Sequence, residues 1–331
     1  MNRRFFLTSA SAVIGLPAIA RADNLTDLLS GAESLDGLRA IAIWHDGAER
    51  VARGFGGWTP DRPTNIKSAS KSVISALTGI AIGRGDLQGA DQPVVPILSA
   101  DLPGDPDPRM AELTIGHLLS MQAGLERQSG ANYGRWVSTP NWVRAALAAP
   151  FTQSPGGRMQ YSTASTHLVS AILTRVTGRT TLDLARDWLA PVPGFAITGW
   201  ERDPQGIYLG GNQMAMSTRS LLAFGTLYAQ QGRAGGQQVV PPGWIADSWR
   251  RRTASIFSGQ GYGYGWFISE LGGREVRYGW GYGGQMVYVF PATRRQPAAV
   301  IAITSDPDRP SARTGYRAAL HELAGRMVRA L

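Results

Sequence analysis

The sequence predicts an α/β (α+β) fold: an antiparallel sheet assembled from both ends of the chain, flanked by N- and C-terminal helices, with a mostly helical domain inserted. Three observations carry this. Strand-like segments occupy 41–55 and return at 262–304. The stretch between them places apolar residues at helical spacing, punctuated by Gly and Pro. The chain then closes on a further helical pattern over 311–331. Strands, then helices, then strands require the two ends to share one sheet.

The opening residues Met1-Asn2-Arg3-Arg4-Phe5-Phe6-Leu7 precede a modestly apolar stretch to Ala20 that is too short to span a bilayer. Paired arginines ahead of Phe-Phe-Leu read as a twin-arginine export signal, with an ordinary secretory signal as the alternative. Ala20-Arg21-Ala22 fits a cleavage site, so residues 1–22 are expected to be removed and the protein to be periplasmic.

After that leader, Ile41-Ala42-Ile43-Trp44 and Val51-Ala52-Arg53-Gly54-Phe55 flank the turn pair Asp46-Gly47 and read as a hairpin. A loop with Pro60 and Pro63 leads to a helix over Ser68–Gly83, on which Val73, Ile74, Leu77, Ile80 and Ala81 recur at helical spacing. Helices are expected over 113–121, 141–149, 165–176, 181–189 and 218–231, the last capped by Ser217. Pro241-Pro242-Gly243 marks a break. Strands follow at 262–268, 275–278, 285–290 and 298–304. This division gives a sheet domain of 23–86 with 235–331, and a helical domain of 87–234.

Composition excludes several classes of function. Hydrophobic residues make up 43% and charged residues 17% of the 331, a globular balance. Cysteine is absent, which removes disulfides and thiolate metal sites. His45, His117, His167 and His321 form no H-x-x-x-H pair, so no zinc site is expected, and no cofactor motif is present. The net charge of +9 reads as arginines spread over a solvated surface. The one dense run, Trp249-Arg250-Arg251-Arg252, is too short to argue for nucleic acid. Beyond the leader no stretch of eighteen apolar residues remains, so no membrane span is expected.

The chemistry begins with lysine usage. Only Lys67 and Lys71 occur, against 31 arginines. Arginine stays protonated in proteins, whereas a desolvated lysine can give up its proton and act as a base. Lys71 lies three residues after Ser68, so on a helix the two side chains share a face. A serine hydroxyl becomes a competent nucleophile when a neighbour takes its proton, and the start of a helix leaves its N–H free for an oxyanion. Arginine-rich usage can also reflect genome composition alone. A second segment, Pro155-Gly156-Gly157-Arg158-Met159-Gln160-Tyr161, delivers a tyrosine just before a helix, either as a proton relay or as a core aromatic. A third, Tyr278-Gly279-Trp280-Gly281-Tyr282-Gly283-Gly284-Gln285, reads either as a Gly-rich hairpin connection or as an edge strand whose N–H groups meet a substrate.

With these three motifs in this order, the chain resembles the serine β-lactamase and penicillin-binding-protein superfamily over nearly all of residues 30–331. It looks closest to the class C β-lactamase-like hydrolases, a group of esterases, D-amino-acid peptidases and 6-aminohexanoate-dimer hydrolases. Tyr161-Ser162-Thr163-Ala164-Ser165-Thr166-His167-Leu168 and Trp280-Gly281-Tyr282-Gly283-Gly284-Gln285 look like the last branch. The resemblance implies Ser68 as acylated nucleophile, Lys71 as its base and Tyr161 as proton relay. It implies an oxyanion hole from the Ser68 N–H and an N–H near Tyr282 or Gly283. In the loop 130–142, Tyr133 and Trp136 are candidate substrate-facing aromatics, with core or rim packing as the alternative.

Two departures bear on substrate. Thr163 stands where β-lactamases carry the Asn of Tyr-x-Asn, and Trp280-Gly281-Tyr282 stands where they carry Lys-Thr-Gly. Losing that lysine is expected to weaken binding of an anionic β-lactam, and an aromatic wall suits esters or linear amides. The expected function is an exported serine hydrolase acting on a small-molecule ester or amide without a cofactor. The alternatives are a penicillin-binding-type or peptidase-like protein that acylates with little turnover, or a β-lactamase.

Overall fold

The computed structural model describes residues 24–311 and 314–331; the expected export signal and its cleavage site lie outside them. Eight strands form one sheet, every pair antiparallel. In chain order they are β1 (Leu38–His45), β2 (Ala48–Gly54), β3 (Thr253–Ala254), β4 (Gly261–Tyr262), β5 (Phe267–Leu271), β6 (Arg274–Gly281), β7 (Gln285–Phe290) and β8 (Ala299–Ser305). Their spatial order is β2-β1-β8-β7-β6-β5-β4-β3. The first hairpin therefore docks on the last strand, with Ile41 opposite Ile303 and Ile43 opposite Ile301.

Side chains alternate across a strand, and here both faces are covered. Ile41, Ile43, Met286, Tyr288, Ile301 and Ile303 point into a core closed by the helices α1 (Leu25–Gly31) and α5 (Tyr316–Arg329). Ala42, Val287, Val289, Val300 and Ala302 point into a second core shared with the helices from the middle of the chain. Burial on both sides explains why β7 and β8 read as unbroken apolar runs. The helix α4 (Thr218–Ala229) lies directly on this second face: a Cβ on Gly225 would sit 2.6 Å from Val300 and 2.7 Å from Val287.

Two further helices position the site. The helix α2 (Ser70–Arg84) is buried from Ser70 to Ala81, its polar residues Ser72, Ser75 and Thr78 included, and stops at Gly85 with φ +84°. The helix α3 (Thr163–Thr177) packs against it. Ser217 accepts the Ser220 N–H and caps α4, as the sequence suggests. At the Asp46-Gly47 turn both residues have positive φ, 47° and 81°, which suits a tight hairpin.

The structure departs from the sequence expectation at several ends. The segment 262–268 is two strands, not one. Gly263 and Trp266 close a turn between them, and that turn tucks against α2, where Ser72 Oγ donates to the Gly265 carbonyl at 2.7 Å. The helix expected over 113–121 is held to Ile115–Leu119 by a Thr114 cap and by Met121 at φ +63°. The C-terminal helix begins at Tyr316, after Gly315 at φ +80°. The stretch 130–142 carries two short helical turns, Gly130–Asn132 and Tyr133–Val137.

Candidate active site

Ser68 lies one step ahead of its expected position. It occupies a 3-10 turn, Lys67–Ala69, that runs into α2, so Ser68 and Lys71 remain one turn apart. The turn is tightly held. Asn65 Oδ1 accepts the Lys67 N–H, Ser70 Oγ donates to the Lys67 carbonyl, and Ile66 N–H donates to Met214 O. Lys67 itself has φ +48°, a strained conformation for a side-chain-bearing residue, which such a network can impose.

Lys71 is 1% exposed. Its Nζ lies 3.1 Å from Ser68 Oγ, 3.4 Å from Thr163 Oγ1 and 2.5 Å from the Gly211 carbonyl oxygen. Among the described residues it has no carboxylate partner. Desolvation without a counter-charge disfavours the ammonium and pulls its pKa down to about 7. The arrangement thus gives a lysine able to release a proton near neutrality, in contact with a serine hydroxyl.

Gly211 is placed from behind by α3. Thr166 Oγ1 donates to the Gly210 carbonyl at 3.0 Å, and the Gly210 N–H donates to His167 Nδ1 at 3.4 Å. His167 Nε2 lies 3.0 Å from Asp203 Oδ2, and Asp203 Oδ1 accepts the N–H groups of Gln205 and Ile207. Thr163, Thr166, His167 and Ser170 form a buried polar stripe at helical spacing, and it clamps the segment that carries the carbonyl. Gly211 has φ +80°, and a Cβ there would lie 2.3 Å from Thr166 Oγ1 and 2.6 Å from Lys71 Cγ. Nothing in the sequence gives a sign of this carbonyl's use.

Tyr161 arrives just before α3 with its ring centroid 5.2 Å from Lys71 Nζ. Its ring packs on Phe257, Tyr262 and Phe267. Burial pushes its hydroxyl up to about 12, while a hydrogen bond with Ser68 pulls more weakly the other way. Thr163 bridges Lys71 to Ser129, whose Oγ accepts the Thr163 N–H.

Of the two readings of the Gly-rich segment the hairpin connection holds: residues 282–284 turn β6 into β7, with Gly281 opposite Gln285. β6 is internal to the sheet, paired with β5 and β7, rather than an edge strand. Pairing with β5 ends at Tyr278, however, and the serine turn packs where that edge opens. A Cβ on Gly281 would sit 2.1 Å from the Ile66 carbonyl oxygen, and one on Gly279 2.9 Å from Ser72 Oγ. These two glycines admit the serine turn itself. Gly283 is also corrected as a candidate donor, because its N–H donates to Ser311 Oγ at 2.9 Å. The N–H groups of Ser68 and Tyr282 have no acceptor among the described residues.

A cavity of about 800 Å³ opens over Ser68. Tyr161 and Thr163 line it, Trp280 and Tyr282 form one wall, and Tyr133 with Asn212 lies on another. Asn212 Nδ2 donates to the Tyr133 hydroxyl. Trp136 is core: it is buried and its indole N–H donates to the Trp142 carbonyl. Sequence reasoning missed Phe257, an exposed rim aromatic packed on Tyr161 and Trp280, and the lining residues Arg127 and Arg317. None of these three sits in a motif. Among the described residues no group of three or more His, Cys, Asp or Glu side chains could hold a metal ion.

The Beta-lactamase family model matches residues 37–324. Among solved structures, a candidate 6-aminohexanoate-dimer hydrolase from Bacillus anthracis superposes with a TM-score of 0.73 at 18% identity, covering 93% of this chain and 82% of that one. An octameric penicillin-binding protein homologue from Pyrococcus abyssi gives 0.69 at 19% identity, covering 92% and 76%. A family VIII carboxylesterase gives 0.71 at 16% identity, covering 93% and 96%. These likenesses show the fold. In sequence, a candidate fimbrial assembly protein, FimD of serogroup D from Dichelobacter nodosus, is 28% identical over 176 residues, half of this chain. The match spans 43% of the length of that relative.

Proposed function

This chain belongs to the Beta-lactamase family, and from that premise we propose that it is a serine hydrolase that forms an acyl-enzyme at Ser68 and hydrolyses an ester or a linear amide. The observation that carries the proposal is the Lys71 amine, buried without a counter-ion and 3.1 Å from Ser68 Oγ.

Neutral Lys71 takes the Ser68 proton as Oγ attacks the substrate carbonyl carbon. The developing oxyanion is held by the N–H groups of Ser68 and Tyr282, both without an internal acceptor among the described residues. Tyr161, protonated at any working pH, passes a proton to the leaving oxygen or nitrogen and is reprotonated from Lys71. Collapse expels the leaving group as an alcohol or amine and leaves the acyl group on Oγ. Water then attacks the ester in the reverse sequence, losing its proton to the same pair and freeing the acid. Thr163 and the Gly211 carbonyl hold Lys71 Nζ so that its lone pair faces Ser68.

Intact-mass analysis after rapid quenching with a p-nitrophenyl ester tests the covalent step. An acyl adduct that maps to Ser68 is expected, and an adduct on another residue would refute the assignment. The export reading belongs to the same proposal: N-terminal sequencing of protein from the periplasmic fraction should begin at Asp23.

A further inference from the structure

The segment Ser255-Ile256-Phe257-Ser258-Gly259-Gln260 joins β3 to β4 and has the composition of a surface turn, yet its middle holds two large apolar residues. The turn is firmly built. Ser255 N–H donates to the Gln260 carbonyl at 2.7 Å and Gly259 N–H to the Ser255 carbonyl at 2.8 Å, with Gly259 at φ +70°. Phe257 N–H donates to Ser255 Oγ at 3.2 Å. Gln260 fastens the base to the sheet, donating from Nε2 to Ser269 Oγ at 2.8 Å and accepting from the Tyr278 hydroxyl. This bonding holds Ile256 and Phe257 out at the tip.

Among the described residues, three large apolar or aromatic side chains stand well out in solvent: Ile256 at 50%, Phe257 at 41% and Tyr282 at 42% exposed. They gather at one place. Phe257 and Tyr282 both line the catalytic cavity, and Ile256 is the adjoining residue. Exposed apolar side chains scattered singly need no explanation, whereas a cluster of them marks a surface for a partner.

Charge indicates the partner. No aspartate or glutamate lines this cavity, whereas Lys67, Arg127 and Arg317 do. Arg127 and Arg317 have no ion-pair partner among the described residues, while Arg39, Arg175 and Arg219 are paired with carboxylates. The whole chain carries +9. A second copy would bring the same positive charge to the same rim, which repels it. Apolar and aromatic side chains beside basic ones fit a lipid surface: the former enter the headgroup layer and the latter meet anionic lipids.

We propose that this rim docks on an anionic lipid surface through Ile256, Phe257 and Tyr282, so that the catalytic cavity opens onto the membrane. Docking stands independently of the chemistry at Ser68; its consequence, that esters carried in the lipid reach the cavity directly, rests on the hydrolase reading.

The test is co-sedimentation of the full chain with vesicles of phosphatidylcholine, with and without phosphatidylglycerol. Every chain compared carries the same residues 1–22, so differences between them report the rim. The partition coefficient should be about tenfold higher on the anionic vesicles and fall with added salt. Ile256→Asp and Tyr282→Asp should each lower it about tenfold. Ala48→Asp adds the same charge in β2, the opposite edge strand of the sheet from β3, and should change it by less than about twofold. Thermal unfolding of each variant checks that it is folded. Absence of binding by the wild type, or equal binding by wild type and Ile256→Asp, overturns the proposal. So does a wild type that ignores vesicles but forms a concentration-dependent dimer lost in Ile256→Asp, which would give the rim to a second copy. For turnover, Ile256→Asp should match the wild type on soluble p-nitrophenyl butyrate and be about tenfold slower on vesicle-borne p-nitrophenyl palmitate. Equal rates on both esters overturn the link to the membrane while the hydrolase reading stands. No turnover of either ester by any chain counts against the hydrolase reading, and sedimentation alone then decides docking.

Discussion

The Gly211 carbonyl oxygen accepts from Lys71 Nζ at 2.5 Å, across 140 residues of sequence, and His167 and Thr166 hold the neighbouring peptide in place. A carbonyl acceptor favours the charged amine and so opposes the desolvation that lowers its pKa. Thr166→Val should therefore loosen the clamp, lower kcat by about tenfold and move the acidic limb of the pH–rate profile to lower pH. A purely structural defect would reduce the amount of active protein and leave the limb in place.

The Lys71 pKa sets the working range. The neutral amine is the base, so kcat/KM should rise with pH through about 7 and then level off. Tyr161, at about 12, remains an acid well beyond that point. Lys71→Arg should lower kcat by about a thousandfold or more, because an arginine does not give up its proton. A flat profile between pH 5 and 9 would contradict the assignment.

The same burial has a cost in stability. In the unfolded chain Lys71 returns to its ordinary pKa of 10.5, above the folded value of about 7. Between those limits the unfolded state binds the extra proton, so this group's contribution to stability rises with pH. Lys71→Met should be inactive but more stable than wild type by a few kcal/mol, on the order of 2–4, at pH 7 and below. Its advantage should shrink as pH rises toward 10. Denaturant unfolding of both proteins at several pH values measures this directly.

Tyr161 matters most for poor leaving groups. Tyr161→Phe keeps the ring packing and removes the acid, so an anilide should slow by about a hundredfold or more. p-Nitrophenolate leaves without protonation, and its esters should be less affected. Equal losses on both substrates would argue for a positional role instead.

Gly281 is a packing requirement. Gly281→Ala brings a Cβ to within 2.1 Å of the Ile66 carbonyl oxygen, a backbone atom that cannot swing away, and must displace the serine turn. A stability loss of about 1–3 kcal/mol is expected together with most of the activity. Thermal unfolding and ester hydrolysis on the same preparation would show whether the two fall together.

What was legible in the sequence was local. β7 falls on the expected residues 285–290 because a short apolar run between turn residues admits one reading. Ser68 and Lys71 come together because helical spacing suffices to pair them, whereas Tyr161 was expected beside them only from the family resemblance. The two strands within 262–268 merged in the sequence because Gly263 and Gly265 make their turn against α2, a tertiary event. The Gly-rich segment was legible as a hairpin connection but not as an edge strand, because Gly281 and Gly283 face the protein's own backbone, which no spacing reveals. Arg317 and Arg127 carried no signal at all in a chain with 31 arginines, since only folding shows which of them lack a carboxylate.

Hydrolysis of p-nitrophenyl butyrate by the wild-type chain and by Ser68→Ala, side by side, bears most directly on the acyl-enzyme reading. Turnover in the wild type that falls to background in the variant is the expected result. Equal turnover in both would contradict Ser68 as the nucleophile, whatever the geometry around Lys71.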